Sequence, residues 1–456
     1  MLSRNAIAYT LQHLAQVSLP DIEPHEVTFI VNGEELHIAI SEQWHIIVKL
    51  LSESDIQALY KGALAPLRLL SADGKVQVPL FQPSRAAGEN IRHDLERNEL
   101  HIPFDIVTIS FLLLSKRDET ADAERDRHDR HPFHGSLPDR YGFIHLPLAD
   151  EYAMLLRKWI VESFCPSVKP TPRKHRFIPT HDIDLLFRFR NPLQAAKSIL
   201  GRDLLLNHSL SYASASLKEY RNWRADAKLD PYLTAIIEFA RLSKAYGLHD
   251  VFFFRSDTLA DPDAAYDIND PRVRYCIDAV REASMEIGLH GSYGSYTRPD
   301  ILCSEKEHLE KVAGQKITNV RQHYLRFRLD AVKEGSSTIA VWQAAGLTDD
   351  YTLGYAEQPG FRCGTCHPYR LYDNGADCPT QITEHPLIVM DGSLVDYLHL
   401  PPAEGNRLTS LLRKRCEAVE GDFILLWHNH FCSRQYHTFY RQIYLEQIKS
   451  GNGKHN

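Results

Sequence analysis

The chain has 456 residues, too many for one ordinary hydrophobic core, so two domains are expected and a third is allowed. Hydrophobic residues at 43% and charged residues at 24% are the balance of a soluble globular protein, and a formal charge of −7 argues against a nucleic-acid binder. No apolar run reaches the roughly 18 residues of a membrane span, and scattered cysteines without a secretory h-region predict reduced thiols in the cytoplasm.

In chain order, "MLSRNAIAYTLQHLAQVSL" interrupts its apolar positions with Gln12, His13 and Gln16 and reads as an amphipathic helix. "EVTFIVNGEELHIAI" reads as a hairpin turning near Asn32-Gly33, "FDIVTISFLLL" as a buried element, and "LADEYAMLLRKWIVESF" as a helix. The charge-dense stretch 116–135 holds His128, His131 and His134 but reads as a solvated loop rather than a metal site. The proline-rich, basic segment 164–176 is the best domain boundary, so residues 1–165 are expected to form a smaller α+β domain of unknown role.

Beyond it, short apolar runs alternate with helical stretches. "FIPTHDID", "DVFFFRSD", "MEIGLHGSY", "ITNVRQHYLRF" and "DFILLWHNH" read as strands, with helices such as "DPRVRYCIDAVREAS" and "TIAVWQAAGL" between them. That β/α alternation over residues 175–445 predicts parallel strands covered by helices, in an open sheet or a barrel. In such folds chemistry collects at the carboxyl ends of strands, where Asp182, Asp184, His290, Arg321, His323, His428 and His430 are all expected.

Carboxylate and imidazole together suit a divalent cation with a place left for water, the equipment for amide or ester hydrolysis. Asp182 and Asp184, two apart on a strand, share a face, where two bare carboxylates would repel. One can hold the cation while the other, oriented by a cation such as Arg321, takes a proton from water. An ordinary helix cap by an aspartate is the structural alternative.

The order "THDID", "DVFFF", "EIGLHGSY", "VRQHYL" and "LLWH" resembles the polysaccharide deacetylases of the NodB-homology type over about residues 175–435. "IPFDIVTISFLLLS" and "LPLADEYAMLLRKW" look like the uncharacterised domain preceding one bacterial branch of that family. The resemblance implies a distorted, incomplete (β/α) barrel that removes an N-acetyl group from a carbohydrate with zinc or another divalent metal. By position, Asp182 resembles the catalytic base, Asp184 and His290 metal ligands, Arg321 the arginine holding the base, and His428 the histidine that protonates the leaving amine. The family's second motif ends in a further histidine, where this chain has Gly294. His323 is the nearest substitute, with His181 a weaker one, and without such a substitute the chain would be a catalytically silent carbohydrate-binding or assembly relative.

Arg362, Asp350 and Tyr293 are the substrate-binding candidates, and His430 a support for His428. Cys363, Cys366 and His367 form a literal haem-attachment spacing, set aside for want of an export signal; with Cys378 they could make a small zinc site, though a loop with buried thiols is the default. The absence of a serine-hydrolase elbow, a Walker A sequence or a dinucleotide fingerprint disfavours those classes. Sequence leaves the sugar, the metal and the oligomeric state open.

Overall fold

The computed structural model describes residues 2–120, 124–164, 171–197, 199, 210–257, 266–331, 335–433 and 436–451. The proline-rich boundary at 164–176 therefore falls partly outside the described residues, as do most of the carboxyl-terminal tail and part of the charge-dense loop. The chain divides into two compact units: residues 1–176, 353–388 and 412–423 form one, and residues 177–352, 389–411 and 424–456 the other.

The first unit is built on a five-stranded sheet. Val27–Asn32 pairs antiparallel with Glu35–Ile40, and Gly33 supplies the left-handed residue (φ 64°) that the tight turn after Asn32 requires. Trp44–Lys49 continues the sheet and pairs in parallel with Glu99–Ile102. "FDIVTISFLLL" becomes the helix Ile106–Leu114, buried at every position. Its amino end is closed by Asp105, whose Oδ1 accepts from the Val107 and Thr108 N–H groups at 3.1 and 2.7 Å while Oδ2 accepts from Leu51 N–H at 2.6 Å.

The helix Leu148–Phe164 explains why later chain joins this unit. It buries Asp150, and a buried carboxylate must find donors. Those donors are Thr365 Oγ1 at 2.6 Å and Cys366 N–H at 2.8 Å. Two turns further on, Arg157 pairs with Glu420 at 3.0 Å.

The second unit carries the alternating β/α pattern. Its strands run in the order Asp349–Asp350, Asn319–Gln322, Glu286–Gly291, Val251–Phe254, Arg176–Ile183, Asp422–Leu426 and Val389–Met390, the Arg176 and Asp422 strands entering this unit at residues 177 and 424. Neighbours register in parallel, as in Asp182 opposite Phe253, His290 opposite Arg321 and Val320 opposite Asp350. This is a mixed α/β fold with a curled half-barrel sheet.

Covering helices begin where Asp-Pro pairs place a capping carboxylate ahead of a proline at the first helical position: Asp230 before Pro231–Tyr246 and Asp270 before Pro271–Glu282. Gly247, at φ 65°, ends the first of these. With strands parallel and helices outside, every carboxyl end faces one side of the sheet. No helix of the described residues is long and apolar enough to cross a membrane.

Candidate metal and catalytic site

Four strand ends and one turn bring the polar residues together. Asp182 lies one residue from the end of Arg176–Ile183, with Asp184 just beyond; His290 lies one residue from the end of Glu286–Gly291. His323 does not lie on the strand that "ITNVRQHYLRF" was expected to form. The strand stops at Gln322, and His323 opens a short turn in which Tyr324 and Leu325 take φ 60° and 56°. Two successive non-glycine residues in the left-handed region cost about 1 kcal/mol or more each, and the sharp turn they make keeps His323 beside the strand tips.

Asp184 is the hub. Its Oδ1 is 3.1 Å from His290 Nε2 and 3.6 Å from His323 Nε2, and its Oδ2 is 3.5 Å from His428 Nε2. Asp184 Oδ1 and His290 Nε2 are buried and close, yet neither makes a hydrogen bond of good geometry. Two polar atoms left so suit a cation between them. Ligand atoms of Asp184, His290 and His323 all lie within 4.8 Å of one another, and no other such group of three occurs among the described residues. Burial alone would raise the Asp184 carboxyl, but the His323, His290 and His428 rings outweigh it and hold the group well below the usual carboxylate range.

Two ion pairs flank this set. Arg321 is fully buried, and its Nη1 donates to Asp182 Oδ1 at 2.9 Å and to Thr180 Oγ1 at 3.0 Å while Nε donates to the Tyr351 carbonyl at 2.8 Å. The guanidinium lies 4.7 Å from the Phe253 ring centroid, so its position is set on its face as well as its edge. Asp182 Oδ2 points toward His290 Nε2, 3.7 Å away. His290 Nδ1 lies 2.9 Å from the Arg321 carbonyl, which can only accept, so Nδ1 donates there and Nε2 is the nitrogen turned toward Asp184.

On the other side stands a residue that sequence reasoning missed. Asp391 accepts from His428 Nδ1 at 2.7 Å. Burial opposes charge on the His428 ring, but Asp391, with Asp184 and Asp182, pushes its pKa up to about 10. His430, 5.3 Å away between ring centroids, is held neutral by burial and by the His428 cation, its pKa lowered to about 4. The missed signal was there: "PLIVMDG" is an apolar run ending in an acid, the same habit as the other strand tips.

The three substrate-binding candidates separate. Tyr293 packs edge-on against Tyr324 with centroids 5.5 Å apart, and the Arg326 guanidinium sits 4.0 Å from its ring. Asp350 is fully buried; its Oδ1 accepts from Thr352 N–H at 3.1 Å and Thr352 Oγ1 at 2.5 Å, and that hydroxyl accepts from Gln322 N–H at 3.0 Å. Arg362 belongs to the first unit, buried in a two-point pair with Glu119 at 2.9 and 2.7 Å and donating to the Gly354 carbonyl at 3.0 Å. That is an ion pair inside a core. Cys363 and Cys366 are buried thiols, Cys378 is exposed, and His367 Nε2 is bound to the Val419 carbonyl at 2.8 Å.

A family model described as a family of unknown function, DUF7033, matches residues 2–165. No curated protein matches the sequence. Among solved structures, a provisionally assigned polysaccharide deacetylase from Mycobacterium smegmatis is similar at 17% identity over 63% of this chain and 88% of its own, with a TM-score of 0.38. The PuuE allantoinase is similar at 15% identity over 62% and 89%, with a TM-score of 0.35. Peptidoglycan deacetylase PdaC of Bacillus subtilis is similar at 14% identity over 62% and 87%, with a TM-score of 0.26. At these scores the three likenesses establish no shared activity.

Proposed function

We propose that the second unit is a metal-dependent hydrolase that removes N-acetyl groups from a sugar or polysaccharide. The observation that carries this reading is the convergence of three imidazoles on Asp184, flanked by the Asp182–Arg321 and His428–Asp391 pairs. The motif resemblance to the polysaccharide deacetylases supplies the substrate class, and a small glycoside or surface-polysaccharide precursor suits the cytoplasmic location expected from the sequence.

Asp184, His290 and His323 would hold the cation, zinc by their mixture of nitrogen and oxygen donors. Such an ion acidifies water and polarises a carbonyl oxygen. The remaining residues divide the proton work. Asp182, oriented by Arg321, takes the proton of the attacking water. His428, kept protonated by Asp391, gives a proton to the departing nitrogen, so an amide and water become a carboxylic acid and an amine. Tyr293, beside the half-exposed Tyr324, offers an aromatic face to a sugar ring.

The test is acetate release from chitooligosaccharides by zinc-loaded protein. Wild type should release acetate, and chelation, Asp182→Asn or His428→Gln should abolish it while the fold persists. A zinc-loaded wild type that binds the sugar and releases none would favour the second reading, a catalytically silent carbohydrate-binding protein. Gly294 supports that alternative: it is exposed where the resemblance expects a histidine, and a side chain begun there would meet nothing within 4 Å.

A further inference from the structure

His181 stands between Thr180 and Asp182, and it points away from the candidate site into the layer of helices. Its ring is fully buried, stacked on Phe239 of the helix Pro231–Tyr246 with centroids 4.2 Å apart and planes at 13°, with Phe252 at 4.6 Å. An imidazole in so apolar a layer is costly unless both nitrogens are satisfied. They are. Nδ1 lies 2.8 Å from the Trp427 carbonyl, which can only accept, so Nδ1 carries a hydrogen and donates it. Nε2 lies 3.1 Å from Asp250 Oδ2, the oxygen that also accepts from Ser243 Oγ.

The Trp427 carbonyl shares a peptide unit with the His428 N–H. That N–H donates to Asp391 Oδ2 at 2.6 Å. One peptide plane is therefore held at its oxygen by His181 and at its hydrogen by Asp391, and because the unit is rigid and planar the two bonds fix the direction in which His428 leaves the backbone. One residue earlier the anchoring is by backbone alone, Trp427 N–H to the Thr180 carbonyl at 2.9 Å. At the strand end, where the peptide ladder gives out, a side chain takes over.

We propose that His181 is a positioning residue for His428: by holding the Trp427 carbonyl, it sets the proton-donating ring in line with Asp391 and Asp184. The assignment rests on reading His428 as the proton donor. It also gives the histidine of "THDID" a part distinct from the two aspartates. His181 touches no substrate and acts only through the 427–428 peptide. A donor displaced by about 1 Å loses on the order of 100-fold in rate, so a hydrogen bond on the hidden face of the strand can govern chemistry on the open face.

The test reads the His428–Asp391 bond directly, by proton NMR of the full chain. The Nδ1 hydrogen of His428 should give a strongly downfield resonance, identified by its loss in His428→Gln. His181→Phe keeps the ring shape and its stacking but removes both hydrogen bonds. His181→Asn keeps a donor near Nδ1, and His181→Gln places its amide near Nε2 instead. The expected result is a resonance retained in the Asn variant and lost or moved upfield in the Phe and Gln variants, with kcat for acetate release falling about tenfold or more and KM unchanged in those two. A resonance unaffected in all three variants, or displaced equally in all three, overturns the proposal. If His181→Phe fails to fold, the contrast between Asn and Gln decides alone. The resonance needs no substrate, so its behaviour is distinguishable from a failure of the deacetylase reading.

Discussion

Asp391 accepts from His428 twice, at the ring Nδ1 at 2.7 Å and at the backbone N–H at 2.6 Å. A carboxylate that grips both the side chain and the main chain of one residue fixes its charge and its orientation together. Asp391→Asn keeps the shape and removes the charge that Asp391 contributes. The His428 pKa should then fall from about 10 toward its ordinary value of 6.5, measured by NMR titration of the metal-free protein. In the proposed reaction the same variant should lose on the order of 100-fold or more in kcat.

Arg321 is fully buried and donates to Asp182, Thr180 and the Tyr351 carbonyl. Arg321→Met should destabilise the protein by about 3–5 kcal/mol in urea titration, because it strands a carboxylate in the core. Adding Asp182→Asn to the same chain should recover part of that loss. Arg321→Lys should not rescue, since an ammonium cannot reproduce the planar fork that reaches both the carboxylate and the carbonyl.

The candidate cation site predicts one zinc per chain by elemental analysis after dialysis. Asp184→Asn and His323→Ala should each cut occupancy severely, and chelation of wild type should lower Tm, since an ion bound only to the folded state stabilises it by mass action. Retention of stoichiometric zinc by His323→Ala would remove that residue from the ligand set.

How far these residues were legible in the sequence depended on how local their cause was. Asp182, His290 and Arg321 stand at strand ends that period-two and period-3.6 patterns reveal, and the Asn32-Gly33 hairpin is a two-residue signal. His323 was expected within the strand of "ITNVRQHYLRF"; the structure delivers it by a left-handed turn at Tyr324 and Leu325, which no propensity of tyrosine or leucine announces. Asp391 follows a strand of only two residues, Val389–Met390, too short for a period to show, so the apolar run of "PLIVMDG" that ends in it was the one signal on offer. Arg362 sits in a segment whose default reading is a loop with buried thiols, but its partner Glu119 lies 243 positions away, and that separation is invisible to local pattern.

Stability should also depend on pH through Glu151, on the helix Leu148–Phe164. Burial, with the Asp73 carboxylate, pushes its pKa up to about 7 from 4.5. The folded value exceeds the unfolded one, so the stabilising contribution is fully present below pH 4.5 and is lost as pH rises through about 7. The loss is about 3 kcal/mol. Denaturant titrations between pH 5 and 8 should show this slope, and Glu151→Gln should flatten it.

The first unit draws its donors for Asp150 from Thr365 and Cys366, two hundred positions downstream. A ribosome must therefore finish most of the second unit before the donors that complete the first have been made. For the same reason neither unit is a cassette that recombination could lift out at a single breakpoint.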